Sequence, residues 1–244
     1  MSFRWGLPLA ASTFAGDVDR GIRLIHVSMV TIFVAWAAVF VWMLFRYRAR
    51  PGHQVEREGL SRWWLYVPLV LIFADEVNMI AAFGIPAWNR IKLSLPAPET
   101  SNVVELVAEQ FAWSAHYPGP DGKFGRMDAR FIDSANTLGL DPSDPDGKDD
   151  IVTINELRIP LGKPTLLYLS SKDVIHSFFV PEFRVKQDAV PGLRTPVWFE
   201  PLMNGKFEIA CAQLCGIGHS KMRGDVIVDS PAGFQQWLGA QAKR

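Results

Sequence analysis

Twelve residues, Cys211-Ala-Gln-Leu-Cys215-Gly-Ile-Gly-His219-Ser-Lys-Met222, hold both cysteines of the chain together with an imidazole and a thioether. Thiolate and thioether are soft ligands and imidazole suits copper, zinc and iron, so these residue types at this spacing can hold a metal. Other readings use the same residues. Two cysteines in an extracytoplasmic domain can pair as a disulfide. A Cys-x3-Cys-x3-His cluster joined by one more histidine can make a tetrahedral zinc site. Taken singly, His219 can be a surface histidine and Met222 a core side chain. A disulfide and a thiolate metal site exclude each other, so the state of the two sulfurs decides between them.

A second segment, Asp173-Val-Ile-His176-Ser-Phe-Phe-Val-Pro181, supplies a further histidine between strand-like runs and is followed by Val185-Lys-Gln-Asp188-Ala-Val-Pro191-Gly192. Both segments resemble subunit II of the haem-copper oxidases, which carries the dinuclear CuA centre, and the similarity extends over most of the chain. The resemblance implies that Cys211 and Cys215 bridge two copper ions and that His176 and His219 each cap one. Met222 and the backbone carbonyl of Gln213 would be weak axial ligands. Two thiolates shared by two ions would spread one electron over both, and a short loop braced on a rigid sheet would resist rearrangement. The implied function is to accept electrons from cytochrome c or a similar periplasmic carrier and pass them to haem in subunit I, with no oxygen chemistry in this chain. Subunit I and a third subunit are the implied partners.

The match has departures. Gln110-Phe111-Ala112-Trp113 resembles the family's Gln-Trp-x-Trp, whose first tryptophan receives the incoming electron; Phe111 stands there and Trp113 at the second position, so both are candidates for that role. Gln213 stands where many members place a glutamate that reaches magnesium. A neutral amide is a poorer ligand for a hard cation, so no magnesium is assigned. A quinol-oxidase subunit II would lose the copper ligands, and all six positions are retained. A CuA subunit of a nitric oxide reductase and a membrane-anchored copper-binding or assembly protein are the remaining alternatives. No Cys-x-x-Cys-His occurs, so no c-type haem is attached through that motif.

These residues need a scaffold, and the charge pattern divides the chain in two. The formal charge is zero, but residues 1–92 carry ten Lys/Arg against six Asp/Glu and residues 93–244 fifteen against nineteen. An acidic downstream half is a poor nucleic-acid binder and a fair partner for a basic protein. Residues 1–22 show no convincing signal peptide and read as an extracytoplasmic tail ending in a short surface helix. Residues 24–45 are an almost unbroken apolar run, long enough for a hydrocarbon core of about 30 Å. Arg46, Arg48, Arg50, Arg57 and Arg62 then mark a cytoplasmic loop by the positive-inside rule.

Residues 63–88 form the second span, with Trp63, Trp64 and Tyr66 at one interface and Trp88 at the other. The expectation is a helical hairpin over 23–90, in a bacterial-type cytoplasmic membrane and in contact with its lipid, with both termini periplasmic. Asp75 and Glu76 lie within the second span, where each ionised carboxylate costs about 2.5–3.5 kcal/mol. They are candidates for a proton pathway or for a buried structural pair, and the face Asp75, Asn78, Met79 and Ala82 is expected to meet a partner subunit. Family members place a glutamate before the Trp-x3-Pro matched here by Trp64 and Pro68. Ser61 takes that place, and Glu58 is the nearby but out-of-register candidate.

Residues 91–244 read as the extracytoplasmic metal-binding domain. A proline-bearing linker over 91–100 leads to a strand over 103–113. Further strand candidates are 124–132, 151–154, 164–169, 195–200, 206–210 and 224–228, separated by Gly- and Pro-rich turns in the manner of an antiparallel sandwich or barrel. The resemblance implies a cupredoxin-like Greek-key barrel. The aspartate-rich run from Asp141 to Asp150 is expected to be a solvated loop, or a patch steering a basic cytochrome c. Ser230-Pro231 starts a short closing amphipathic helix.

Overall fold

The structure is a computed structural model that describes residues 6–52, 59 and 61–241. It divides into a helical unit, Asp17–Arg90, and a β-rich unit that combines Ile91 onward with the N-terminal residues up to Gly16.

The first helix, Ala15–Arg46, is one continuous element, with Asp17 in its first turn and Arg46 in its last to complement the helix dipole. The expected surface helix and span are therefore not separate. The second helix starts at Trp63 and stays α-helical to Met79, then passes through a π turn at Ile80–Gly84, a short α segment Ile85–Trp88, and a second π turn Asn89–Leu93. Pro86 explains the first π turn: it has no N–H to donate and its ring would strike the carbonyl four residues back. The backbone widens, and the Ile85 N–H reaches the Ile80 carbonyl instead. Both helices are long and apolar enough to cross a membrane.

Phe83 lies against Gly21, where a Cβ would come within 2.1 Å of its ring, so the glycine lets the two helices close. Ser28 Oγ donates to the Asp75 carboxylate across the pair. Asn78, Met79 and Ala82 line a crevice with Arg20, Leu24 and Phe83. Of the face expected to meet a partner subunit, Asp75 reaches the first helix through Ser28, while Asn78 and Ala82 stay exposed along the crevice. Glu76 is exposed on another face. Glu58 and Arg57 lie outside the described residues.

The β-rich unit holds strands β1 Asn102–Glu109, β2 Ala112–Tyr117, β3 Ile151–Ile154, β4 Glu156–Pro160, β5 Thr165–Ser171, β6 His176–Val180, β7 Val185–Ala189, β8 Thr195–Phe199, β9 Gly205–Cys211 and β10 Arg223–Asp229. They form two sheets, β3-β2-β1-β5-β8 and β4-β10-β9-β6-β7. The pairings are antiparallel except β1 with β5 and β4 with β10, which are parallel. Alternate side chains of both sheets meet in one core, including Leu106, Trp113, Leu167, Leu169, Phe178, Ile209 and Val226. The closing helix, Pro231–Gln241, is capped by Ser230 Oγ on the Gly233 N–H and lays Trp237 edge-on to Tyr117.

The N-terminal tail is part of this unit. Phe14 is fully buried in the sandwich core with its ring edge-on to Trp198 at 4.6 Å. The Ala11 N–H donates to the Glu182 carbonyl and the Ala11 carbonyl accepts from the Leu202 N–H, each at 2.9 Å. Ser12 Oγ donates to the Phe183 carbonyl at 2.7 Å.

Two expected strands are corrected. Residues 103–113 are a hairpin, with Glu109 opposite Ala112 and Gln110-Phe111 as its two-residue turn. Residues 124–132 contain no strand: the Asp128 side chain accepts the Arg130 N–H and caps the 3-10 turn Ala129–Phe131. The acidic run is also less solvated than expected. Asp144 accepts from the Arg126 N–H and Nε. Asp150 is buried against His116 Nε2 at 2.6 Å, while His116 Nδ1 faces Glu105 at 3.3 Å. Burial disfavours the charged imidazole of His116, but these two carboxylates outweigh it and raise its pKa. Burial likewise opposes charge on Glu105, yet His116 and Arg194 hold its pKa below the usual range.

Candidate metal centre

Strand pairing brings the predicted ligands together. Cys211 ends β9 and Met222 immediately precedes β10; because these strands pair, the Cys211 N–H donates to the Met222 carbonyl and closes the base of the loop. β6 lies on the other side of β9, with the Ala212 N–H donating to the Ser177 carbonyl, so His176 arrives beside Cys211. Within the loop Gly216 takes a φ of +135°, which favours glycine, and the 3-10 turn His219–Lys221 folds His219 back toward Cys215.

The sulfurs of Cys211 and Cys215 are free thiols 3.8 Å apart. The disulfide reading does not describe this state. His176 Nδ1 lies 3.9 Å from Cys211 Sγ and 3.1 Å from Met222 Sδ. His219 Nδ1 lies 3.7 Å from Cys215 Sγ, and the Gln213 carbonyl oxygen 3.2 Å from Cys211 Sγ. Met222 Sδ is also 3.8 Å from Cys215 Sγ. All six positions singled out in the sequence therefore meet around one sulfur pair, with a histidine to each side.

The donor set fits copper better than zinc. Zinc would be satisfied by two thiolates and two imidazoles, whereas the buried Met222 thioether, aimed at the same cluster, is a soft ligand that copper uses. Burial, and then the neighbouring Cys211, push the Cys215 thiol up to about 11, so metal uptake must displace a proton.

The supports around these donors were not identified in the sequence. Asp173 accepts from His176 Nε2 at 2.8 Å, which leaves Nδ1 facing the sulfurs. Burial disfavours the Asp173 charge, but hydrogen bonds from His176 and from the Gln110 and Val174 N–H groups lower its pKa. Gln110 Nε2 donates to the Cys215 carbonyl at 2.5 Å. An aspartate three residues before a candidate histidine ligand was the available signal for Asp173. Of the two aromatic candidates, Trp113 is buried with its ring 6.2 Å from that of His176, and half-buried Phe111 lies against Gly216 and Gly218.

Residues 103–230 match the family described as cytochrome c oxidase subunit II, periplasmic domain. The alternative cytochrome c oxidase subunit 2 of Bradyrhizobium diazoefficiens is 36% identical over 97% of this chain and 84% of its own length. Cytochrome c oxidase subunit 2 of Cereibacter sphaeroides is 30% identical over 96% of this chain and 78% of its own. Among solved structures, the periplasmic domain of subunit II of cytochrome oxidase from Bradyrhizobium japonicum is 29% identical, covers 62% of this chain and 98% of that one, and has a TM-score of 0.46. With over half the chain inside the family match, and relatives aligned along nearly its full length, the chain belongs to the cytochrome c oxidase subunit II family.

Proposed function

We propose that this chain is the electron-accepting subunit of a respiratory haem-copper oxygen reductase and holds a dinuclear CuA centre. The observation that carries the reading is the convergence of two free thiols, two imidazoles, a thioether and a carbonyl on one small space. A copper pair bridged by two thiolates supplies one-electron transfer with little structural change. Cys211, Cys215, His176 and His219 would hold the copper, with Met222 and the Gln213 carbonyl as weaker donors. Asp173 fixes the His176 ring, and the two β-strands at the loop base restrain the sulfurs.

The partners in this reading are a cytochrome c-type carrier, a haem-bearing subunit I and a third subunit. Exposed Leu214 and Ile217 in the ligand loop, with Val174 and Ile175 beside His176, give the site an apolar rim suited to docking a protein. Phe111 is the better candidate for receiving the electron, since Trp113 has almost no exposed surface. Both ends of the hairpin lie on the periplasmic side in this reading, a placement supported by the packing of Phe14 in the same core as the strands after the second helix. Asp75 already has Ser28 as a partner, so Glu76 is the carboxylate proposed to contribute to proton movement.

The test is copper loading of the full-length chain, followed by metal analysis, visible absorption and EPR. Two coppers per chain with a mixed-valence signal are expected. A single copper, or zinc retained in preference, would refute the dinuclear reading.

A further inference from the structure

We propose that Gln110 is a positioning residue of the copper centre: its side-chain amide holds the ligand loop over the sulfur pair. The role deepens the copper reading above and rests on it. Gln110 sits in the turn between β1 and β2, in the sheet opposite the one that carries the ligands. Its backbone N–H donates to Asp173 Oδ2 at 2.7 Å, and the other oxygen of that carboxylate accepts from His176. Its side-chain Nε2 donates to the Cys215 carbonyl. One residue thus ties the support of the His176 ligand to the backbone of the Cys215 ligand.

Cys215 is where such a tie matters. Cys211 ends a strand and Met222 borders one, whereas Cys215 stands in the loop between them. The loop is shaped to receive the turn. A Cβ at Gly218 would come within 2.4 Å of the Phe111 ring, and one at Gly216 within 2.6 Å of Gln110 Nε2. The two glycines let Gln110 and Phe111 lie flush on the loop, with the amide reaching the carbonyl and the ring covering the backbone beside it. A displaced Cys215 carbonyl carries Cys215 Sγ with it and changes its separation from Cys211.

The test uses the full-length chain with Gln110→Ala and Gln110→Glu. The glutamate keeps the size and the backbone bond to Asp173 but replaces the donor with an acceptor facing a carbonyl. It is the variant to read if the alanine fails to fold. In the copper-free chain, Cys215 should react with iodoacetamide about 5–10 times faster in either variant, the factor expected from one lost hydrogen bond. In the copper-loaded chain, copper should pass to a chelator faster by a similar factor, and the visible bands should shift. Unchanged alkylation, copper loss and spectrum in both variants would overturn the proposal. Wild-type chain that binds no copper pair would refute the copper reading instead, and the alkylation rates would still test the clamp.

Discussion

Replacing Phe14 with alanine should destabilise a domain whose strands all lie more than eighty positions away in sequence. Phe14 has no exposed surface. Truncating a buried phenylalanine costs about 3–5 kcal/mol, and its edge-on contact with Trp198 makes the upper part of that range the expectation. Against a domain stability of roughly 5–15 kcal/mol this is a large fraction. At about 2–4 °C per kcal/mol for a domain of this size, 4 kcal/mol corresponds to a fall in Tm of about 8–16 °C. Near-UV circular dichroism of the full-length chain in detergent, melted beside Leu9→Ala, measures it. Leu9 belongs to the same segment but is partly exposed, so its variant should melt within about 2 °C of wild type. A Phe14→Ala chain that melts with wild type would refute the assignment of the N-terminal segment to the core.

Cys211→Ser or Cys215→Ser should abolish the proposed copper pair, since an alcohol does not replace a thiolate for copper, while the sandwich stays folded; two coppers with an unchanged mixed-valence spectrum in either variant would contradict this. Met222→Leu should keep copper and change its potential, as read by redox titration. The raised pKa of His116 contributes stability that is full below the unfolded imidazole value of about 6.5 and is lost as pH rises through the higher folded value. Denaturant unfolding should therefore show His116→Gln furthest below wild type near pH 5.5, with the gap narrowing by pH 9; a gap that widens with pH would reverse the assignment. In the assembled complex, Glu76→Gln should lower oxygen turnover without slowing electron arrival at copper, whereas Asp75→Asn should mainly weaken packing of the hairpin. Stopped-flow reduction and steady-state turnover on one preparation separate these, and equal turnover in both variants would leave Glu76 a structural role only.

The candidate metal centre was legible because five of its six proposed donors lie within twelve residues and their chemistry is unusual enough to stand out. Its supports were not, because Gln110 and Asp173 are ordinary polar residues whose roles exist only once two sheets are stacked. The spans were legible from hydropathy, but the inward turn of Asp75 depends on Gly21 and Ser28 some fifty residues earlier. Strand β4 was missed because Glu156 and Arg158 interrupt its apolar residues, and β7 because Lys186, Gln187 and Asp188 do the same. The single strand read over 103–113 failed for the opposite reason: Gln110-Phe111 continues the strand-like composition and carries none of the usual turn residues. The aspartate run misled because composition reports charge and not direction, and Asp150 spends its charge on a buried histidine.

The strap formed by Ala11, Ser12 and Phe14 also constrains biogenesis. The sandwich takes Ala11 and Phe14 of its core from ahead of the first helix and all its strands from beyond the second. During synthesis Phe14 emerges long before β8, which supplies the tryptophan against which it packs. In the proposed topology the N-terminal segment waits on the side where the strands will later appear. In the proposed topology, a chain in which only one of the two helices crossed would leave the N-terminal segment and the strands on opposite sides, and the sandwich without Phe14 against Trp198. Completion of the domain would in this sense report, in the proposed topology, that both helices have crossed.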